Sequence, residues 1–354
     1  MGIKFRHIST QNSLINPLKG FTPDEIPLEI RFDPLTGQTG RVFDLPYRPP
    51  ERPDLQKVVE KSREIFCPFC PDTLANSTPL FPEELIPEGR ITVGKATLIP
   101  NLLPLDTYAA VTVISDEHYI AMEDLVPERI TDAFIAAHRF IKRVLNADPA
   151  MNYFYINWNY MPPAGSSMVH PHIQVNCGSV PTNQHRLQIE ACRSYREANG
   201  SDFWADYMEA EKIEKERYLG ESGEGTFWVM NYVPQSFIPD VWCVFKGHDS
   251  LEFISEGEIF SFVEGLSRIL KYYHSQNIYS FNMGLFSVRQ DDDFRINAKI
   301  CPRLLPRDIG NSDQTYFQTV HKEPCSVWRP ESICPMVRDF FNDGQATIDG
   351  RERP

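Results

Sequence analysis

The chain repeats itself once, and that repeat restricts its possible folds more than any other feature. Residues 103–142 (LPLDTYAAVTVISDEHYIAMEDLVPERITDAFIAAHRFIK) and 233–271 (VPQSFIPDVWCVFKGHDSLEFISEGEIFSFVEGLSRILK) share one pattern at an offset near 130. Pro104 falls on Pro234 and His118 on His248. In each copy a strand-like run precedes an amphipathic helix. Beyond the helices, YFYINWN (153–159) lies over IYSFNMG (278–284), and HPHIQ (170–174) over NAKIC (297–301). Strands, then a helix, then strands, without βαβ regularity, predict an α+β fold with antiparallel sheet. The predicted units are residues 1–182 and 183–354. Only the first carries His170-Pro171-His172; the second has Asn297-Ala298-Lys299. One active half and one degenerate half follow.

Local patterns fill in the frame. Residues 91–99 and 108–115 alternate and are rich in β-branched types, so they read as strands. Pro127 opens a helix with Ile130, Phe134, Ala137, Ile141 and Leu145 on one face. Residues 153–159, 169–177 and 228–234 read as strands, and 203–218 as a charged helix. Ser255 with Glu258 forms a capping box ahead of a helix over 256–274. The first 60 residues read as extended segments and loops, and a further loop carries Cys67-Pro68-Phe69-Cys70.

Composition decides the class of ligand. With 35 Lys+Arg against 48 Asp+Glu, the net charge is −13, which disfavours nucleic acid and anionic membranes as partners. Cations for a small phosphate ligand must then be local. No stretch approaches the ~18 apolar residues of a membrane helix. The opening MGIKFRHISTQNSL lacks the apolar centre of a signal peptide, and Arg6 stands where a myristoylation signal needs Ser or Thr. Eight scattered cysteines make no disulfide framework, so a cytoplasmic protein is expected.

On an extended strand His170, His172 and Gln174 share a face, which is costly in an apolar run unless the side chains are bonded or used. A solvated edge strand would also accommodate them. The preceding Gly165-Ser166-Ser167 offers N–H groups and hydroxyls suited to phosphate oxygens, which favours a site. Cys67-x-x-Cys70 reads as half of a metal site, a redox pair or an accident of sequence. Thioredoxin-like use is disfavoured, because that motif opens a helix after a strand. Zinc would need two more ligands, and His118 and His170 are the best completions.

RFDPLTG (31–37), YRPPERP (47–53), CPFC, SDEHY (115–119), Asn159 with Gly165-Ser166-Ser167, and HPHIQ occur in an order that resembles galactose-1-phosphate uridylyltransferase. That family is a two-half branch of the histidine-triad superfamily. SDFWADYMEAE (201–211), WVMNYVP (228–234) and NAKICPRLL (297–305) extend the similarity to the second half. The resemblance implies two histidine-triad-like halves, with Cys67, Cys70, His118 and His170 holding one structural zinc. It implies His172 as the nucleophile that receives a nucleoside monophosphate, with Gln174 and Ser167 beside it in catalysis. Arg48, Arg52, Asn101, Leu102, Asn159, Gly165 and Ser166 then fall on substrate-binding positions, and Lys322 is the obvious cation of the acceptor segment. A nucleotide sugar and a sugar 1-phosphate are the implied substrates, and a homodimer the implied assembly. Some members bind a second metal, usually iron. The matching positions here are Gln188, Phe286, Asn297 and Lys299, so that site is expected to be absent. The arginines are spaced R-x-x-x-R where the family usually shows R-x-x-R. Two other readings use the same residues. One is a phosphorylase with inorganic phosphate as acceptor, acting on nucleotide sugars or dinucleoside polyphosphates. The other is a non-catalytic, zinc-stabilised nucleotide-binding protein.

Overall fold

The computed structural model describes residues 2–223, 225–306 and 310–343; the remainder of the second predicted unit, 344–354, lies outside the described residues. In chain order the strands and helices are β1 (Arg6–Asn16), β2 (Thr22–Phe32), β3 (Thr39–Val42), α1 (Leu55–Arg63), α2 (Pro71–Ser77), β4 (Ile91–Val93), β5 (Ala96–Pro100), β6 (Tyr108–Val113) and α3 (Pro127–Ala147). Next come β7 (Tyr153–Tyr160), β8 (His172–Gly178), α4 (Asn183–Asn199), α5 (Phe203–Glu214), β9 (Tyr218–Ser222), β10 (Thr226–Met230) and β11 (Val241–Phe245). The chain continues through α6 (Glu256–Ser275), β12 (Ser280–Val288), β13 (Asn297–Arg303), α7 (Tyr316–Thr319), β14 (Cys325–Ser326) and α8 (Pro330–Asp343).

Ten of the strands form one sheet in the order β4-β5-β6-β8-β7-β12-β13-β11-β10-β9. The order is a palindrome of chain positions: each half contributes five strands in the same arrangement, and β7 meets β12 antiparallel at the middle. Register bears out the sequence superposition across β7–β8 and β12–β13, whereas the next pair is one residue off, with Val113 facing His172 but Cys243 facing Ala298. Asn157 pairs with Gln174 in the first half, and their counterparts Asn282 and Cys301 pair in the second. Trp158 and Met283, superposed in sequence, face each other across the seam. His172 and Lys299 therefore occupy equivalent places.

The helices α3, α6 and α8 lie on one face. All five residues expected on the inner side of α3 are buried there, and Phe134 meets Phe262 of α6 edge-on at 5.6 Å. Each such side chain contributes about 1.5–3 kcal/mol of burial. The capping box at Ser255 and Glu258 forms, satisfying N–H groups that begin α6. On the opposite face, α4 and α5 lie mainly over the second half, burying Phe203, Trp204 and Tyr207 against Phe227, Val229, Trp242 and Val244, and His185 of α4 reaches Tyr153 and Tyr155 of β7. A second sheet, β1-β2-β3-β14, joins the two ends of the chain. Arg31 of β2 holds Glu331 of α8 through two 2.9 Å bonds.

Several local expectations are corrected. The run 91–99 is a hairpin, β4 and β5, because Gly94 takes a left-handed φ of +50° and turns the chain. The charged helix stops at Glu214, where Lys215 adopts a left-handed φ. The strand at 228 ends at Met230. α1 lies in the stretch expected to be loop, with Asp54 capping the N–H of Gln56. The CPFC turn does open a helix: Cys70 is the residue before α2. It follows α1, however, and not a strand. β8 starts at His172, so His170 precedes the strand. His118 likewise lies beyond the end of β6.

Candidate active site and metal centre

The first half collects the candidate site residues. The turn between α1 and α2 brings Cys67 and Cys70 over the loop carrying His118 and the residue pair that enters β8. The four ligand atoms lie within 4.8 Å of one another. Cys70 Sγ is 3.2 Å from His118 Nδ1 and 3.8 Å from His170 Nδ1, and Cys67 Sγ is 3.7 Å from His170 Nδ1. Outer hydrogen bonds fix which ring nitrogen faces the cluster. His170 donates from Nε2 to the Ser115 carbonyl at 2.8 Å. His118 donates from Nε2 to Ser62 Oγ at 2.9 Å, while the Ser62 hydroxyl is spent on the Val59 carbonyl. Both Nδ1 lone pairs therefore point inward, the arrangement metal-bound histidines show. Burial pushes His170 down to about 4 and lowers His118, so both rings are neutral. Burial and the adjacent Cys67 push the Cys70 thiol up to about 11, and a bound cation would reverse that by stabilising thiolates. The donor set, two sulfurs and two neutral imidazoles, fits a closed tetrahedral site. Thr73 holds the turn by donating to the carbonyl of Cys67 at 2.6 Å.

His172 stands next to this cluster with 7% of its surface exposed. Its Nδ1 lies 2.9 Å from the His170 carbonyl. A carbonyl only accepts, so Nδ1 carries the proton and Nε2 keeps a lone pair. Burial lowers the basicity of the ring, which stays neutral. Phe69, from within the CPFC turn, packs at 5.2 Å from the His172 ring and edge-on at 6.0 Å from His170. One short loop thus supplies two sulfurs of the cluster and a wall for the His172 ring.

No family model matches the chain. An uncharacterized protein of Archaeoglobus fulgidus is 32% identical over 332 residues, covering 92% of this chain and 96% of that one. The chain belongs to one family with it. Among solved structures, a GalT-like protein from Arabidopsis thaliana superposes at TM-score 0.67 with 19% identity, over 88% of this chain and 98% of that one. An ADP-glucose phosphorylase from the same plant, with bound ADP-glucose, gives 0.66 at 18% identity, over 88% and 99%. A uridylyltransferase gives 0.64 at 17%, over 90% and 99%. The chain has the GalT-like fold.

On this GalT-like frame the remaining predicted residues fall into two groups. Gln174 stands two residues along β8 from His172, half-buried and paired in register with Asn157. Asn159, one strand over, accepts at 2.7 Å from Asn282, which also donates to the Ala164 carbonyl. Arg303 in turn holds Asn282 at 2.7 Å and grips Asp313. Gly165, at φ +82°, ends the turn after β7, and Ser167 is exposed beside it. Ser166 donates to the Met168 carbonyl at 2.6 Å. Met161, with φ +68° and ψ 160°, is in a region almost reserved for glycine, so this turn stores strain. Asn101 accepts from the Leu103 N–H, leaving Leu102 exposed at the tip of its loop.

The other group is dispersed. Arg48 lines a cavity of about 150 Å³ with Tyr47, Gln276, Trp328 and Met336. Arg52 packs against the His274 ring, which bonds Glu123 at 2.9 Å. Lys322 sits in a polar cavity of about 610 Å³ with Asn183, Gln184, Gln314 and Gln318, none of them from the His172 group. Gln188 and Asn297 are buried, Phe286 packs on His185, and Lys299 lies 4.7 Å over Trp242. Phe69, Ser62, Thr73, Asn282 and Arg303 escaped the sequence reading. Only Phe69 had a signal, its place inside CPFC.

Proposed function

We propose that the protein is a nucleotidyltransferase working through a covalent nucleotidyl-His172 intermediate. The observation that carries this reading is the His172 ring, kept neutral by burial and held in one tautomer by its bond to the His170 carbonyl, which leaves the lone pair on Nε2. In the first step Nε2 attacks the α-phosphorus of a nucleotide sugar. An N–P bond forms, the bond to the bridging oxygen breaks, and the sugar 1-phosphate leaves with that electron pair. In the second step an oxygen of a phosphate acceptor attacks the same phosphorus and the N–P bond breaks. The His170 carbonyl stabilises the positive ring that exists between the two steps. Gln174 and the Ser166-Ser167 turn donate to phosphate oxygens without adding charge. Asn159, Gly165, Asn101 and Leu102 are assigned to the substrate at His172; Arg48, Arg52 and Lys322 stand on separate surfaces and are given no contact with it.

Cys67, Cys70, His118 and His170 would hold a zinc ion, which when bound pins the CPFC turn against the strand bearing His172. The division of labour between 1–182 and 183–354, a homodimeric assembly and a cytoplasmic setting belong to the same reading. No helix among the described residues is long and apolar enough to cross a membrane. Similarity to an ADP-glucose phosphorylase supports inorganic phosphate as a second acceptor class to set beside hexose 1-phosphate. Turnover assays with UDP-glucose and ADP-glucose, each paired with galactose 1-phosphate or inorganic phosphate, decide the acceptor. Ping-pong kinetics in one pairing is the expected result, and binding without turnover in all four would overturn the transferase reading.

A further inference from the structure

The edges of the two sheets are treated very differently. Three of them are short: β4 has 3 residues, β9 has 5 and β14 has 2. The fourth, β1, runs for 11 residues and pairs with β2 alone, so its outer edge meets no described strand. Folded proteins usually blunt such an edge with proline, a charge or a bulge, because its free N–H and C=O groups template pairing. Residues 8–16 of β1, ISTQNSLIN, contain no proline, glycine or charge, and the pairing with β2 is unbroken. Most of the strand is exposed, including Ile8 at 53% and Ile15 at 57%. A ribbon this long, with little packed against its outer part, is only marginally stable by itself.

The sequence of the edge indicates what covers it. Around Gln11 the run Ile8-Ser9-Thr10-Gln11-Asn12-Ser13-Leu14 is a chemical palindrome. Antiparallel pairing of this strand with its own copy, centred on Gln11, sets Ser9 against Ser13, Thr10 against Asn12 and Ile8 against Leu14. Arg6 and His7 face Asn16 and Ile15, so no like charges meet. Antiparallel self-pairing is also isologous, and one copy closes it. We infer that β1 is a dimerisation strand that joins two copies of the chain through a β1–β1 ladder centred on Gln11.

The inference rests on the strand edge and not on the His172 chemistry, and Gln11 is remote in sequence from every residue assigned to substrate. Sedimentation of the full chain tests it, together with Gln11→Lys, which sets two ammonium groups opposite each other at the twofold axis. The wild type should sediment as a dimer, and Gln11→Lys should weaken association at least about 100-fold with metal content and His172 adduct formation unchanged. Gln11→Cys should form an intermolecular disulfide on mild oxidation, whereas Leu18→Cys, at the ribbon tip, should not. A monomeric wild type overturns the inference. So does a dimer that Gln11→Lys leaves intact, since it would use another surface. In either case the adduct experiment still stands or falls independently.

Discussion

The two halves of the sheet have the same strand order, yet the CPFC turn packs on the first and the α4–α5 layer lies mainly on the second. At equivalent places the first half carries His172 and the second carries Lys299. His172 presents a neutral nitrogen with a lone pair, fixed by the His170 carbonyl at 2.9 Å. Lys299 presents an ammonium over the Trp242 ring, at 4.7 Å, with donors and no acceptor. His170 corresponds to Asn297, which is fully buried beneath the α4–α5 layer. His118 corresponds to His248, whose partner is Glu258 at 3.1 Å and not a pair of sulfurs. The comparison teaches that the strand frame alone specifies no chemistry. What distinguishes the halves is the loop 64–70, which brings two cysteines and Phe69 to the first, and the helices α4 and α5 on the second.

Substituting the paired positions is the strongest way to break this contrast. His172→Ala should lower nucleotidylation at least about 10⁴-fold with metal content retained, while Lys299→Ala should leave the rate nearly unchanged. Comparable losses from both would show that the halves share the chemistry. Removing the loop's sulfurs comes next. Cys67→Ser should release the metal and cost several kcal/mol of stability, read as metal stoichiometry by emission spectroscopy and as a lower melting temperature. Asn282 tests whether the second half buttresses the first. Asn282→Ala frees Asn159, so kcat/KM should fall about tenfold, or ~1.4 kcal/mol, with the metal untouched.

The smallest effect concerns pH. Burial holds His138 of α3 down at about 4 and His185 of α4 at about 3. Both lie below the ordinary value of about 6.5. As pH falls, the unfolded chain binds these protons first, so stability present above pH 6.5 is lost below it. Each histidine accounts for roughly 2 kcal/mol by pH 5. Denaturant melts at pH 7 and 5 should show the loss, and His138→Asn and His185→Asn should each reduce the slope by a similar amount.

The repeat was legible because it is written in residues that recur at matching offsets, and register bears it out at Asn157 with Gln174 and Asn282 with Cys301. The metal set could be assembled from CPFC and the few available histidines. The hydrogen bonds that make it work were not legible. Ser62 orients His118 from 56 residues away, and Asn282 and Arg303 support Asn159 from another half of the chain. No local pattern marks a residue whose role depends on a seam between two strands distant in sequence. The helix over 55–63 escaped because the prolines before it suggested extended chain, whereas Asp54 supplies a cap just after the last of them. Arg48 and Arg52 look alike in YRPPERP, but one lines a cavity and the other packs on His274.

Intact-mass spectrometry, with peptide mapping, after mixing the protein with UDP-glucose or ADP-glucose tests the central claim most directly. The account predicts one nucleotidyl group per chain, on His172, stable to base, labile to acid and absent from His172→Ala. A nucleotide-bound protein that forms no adduct with either sugar, or an adduct carried by a second-half residue, would contradict it.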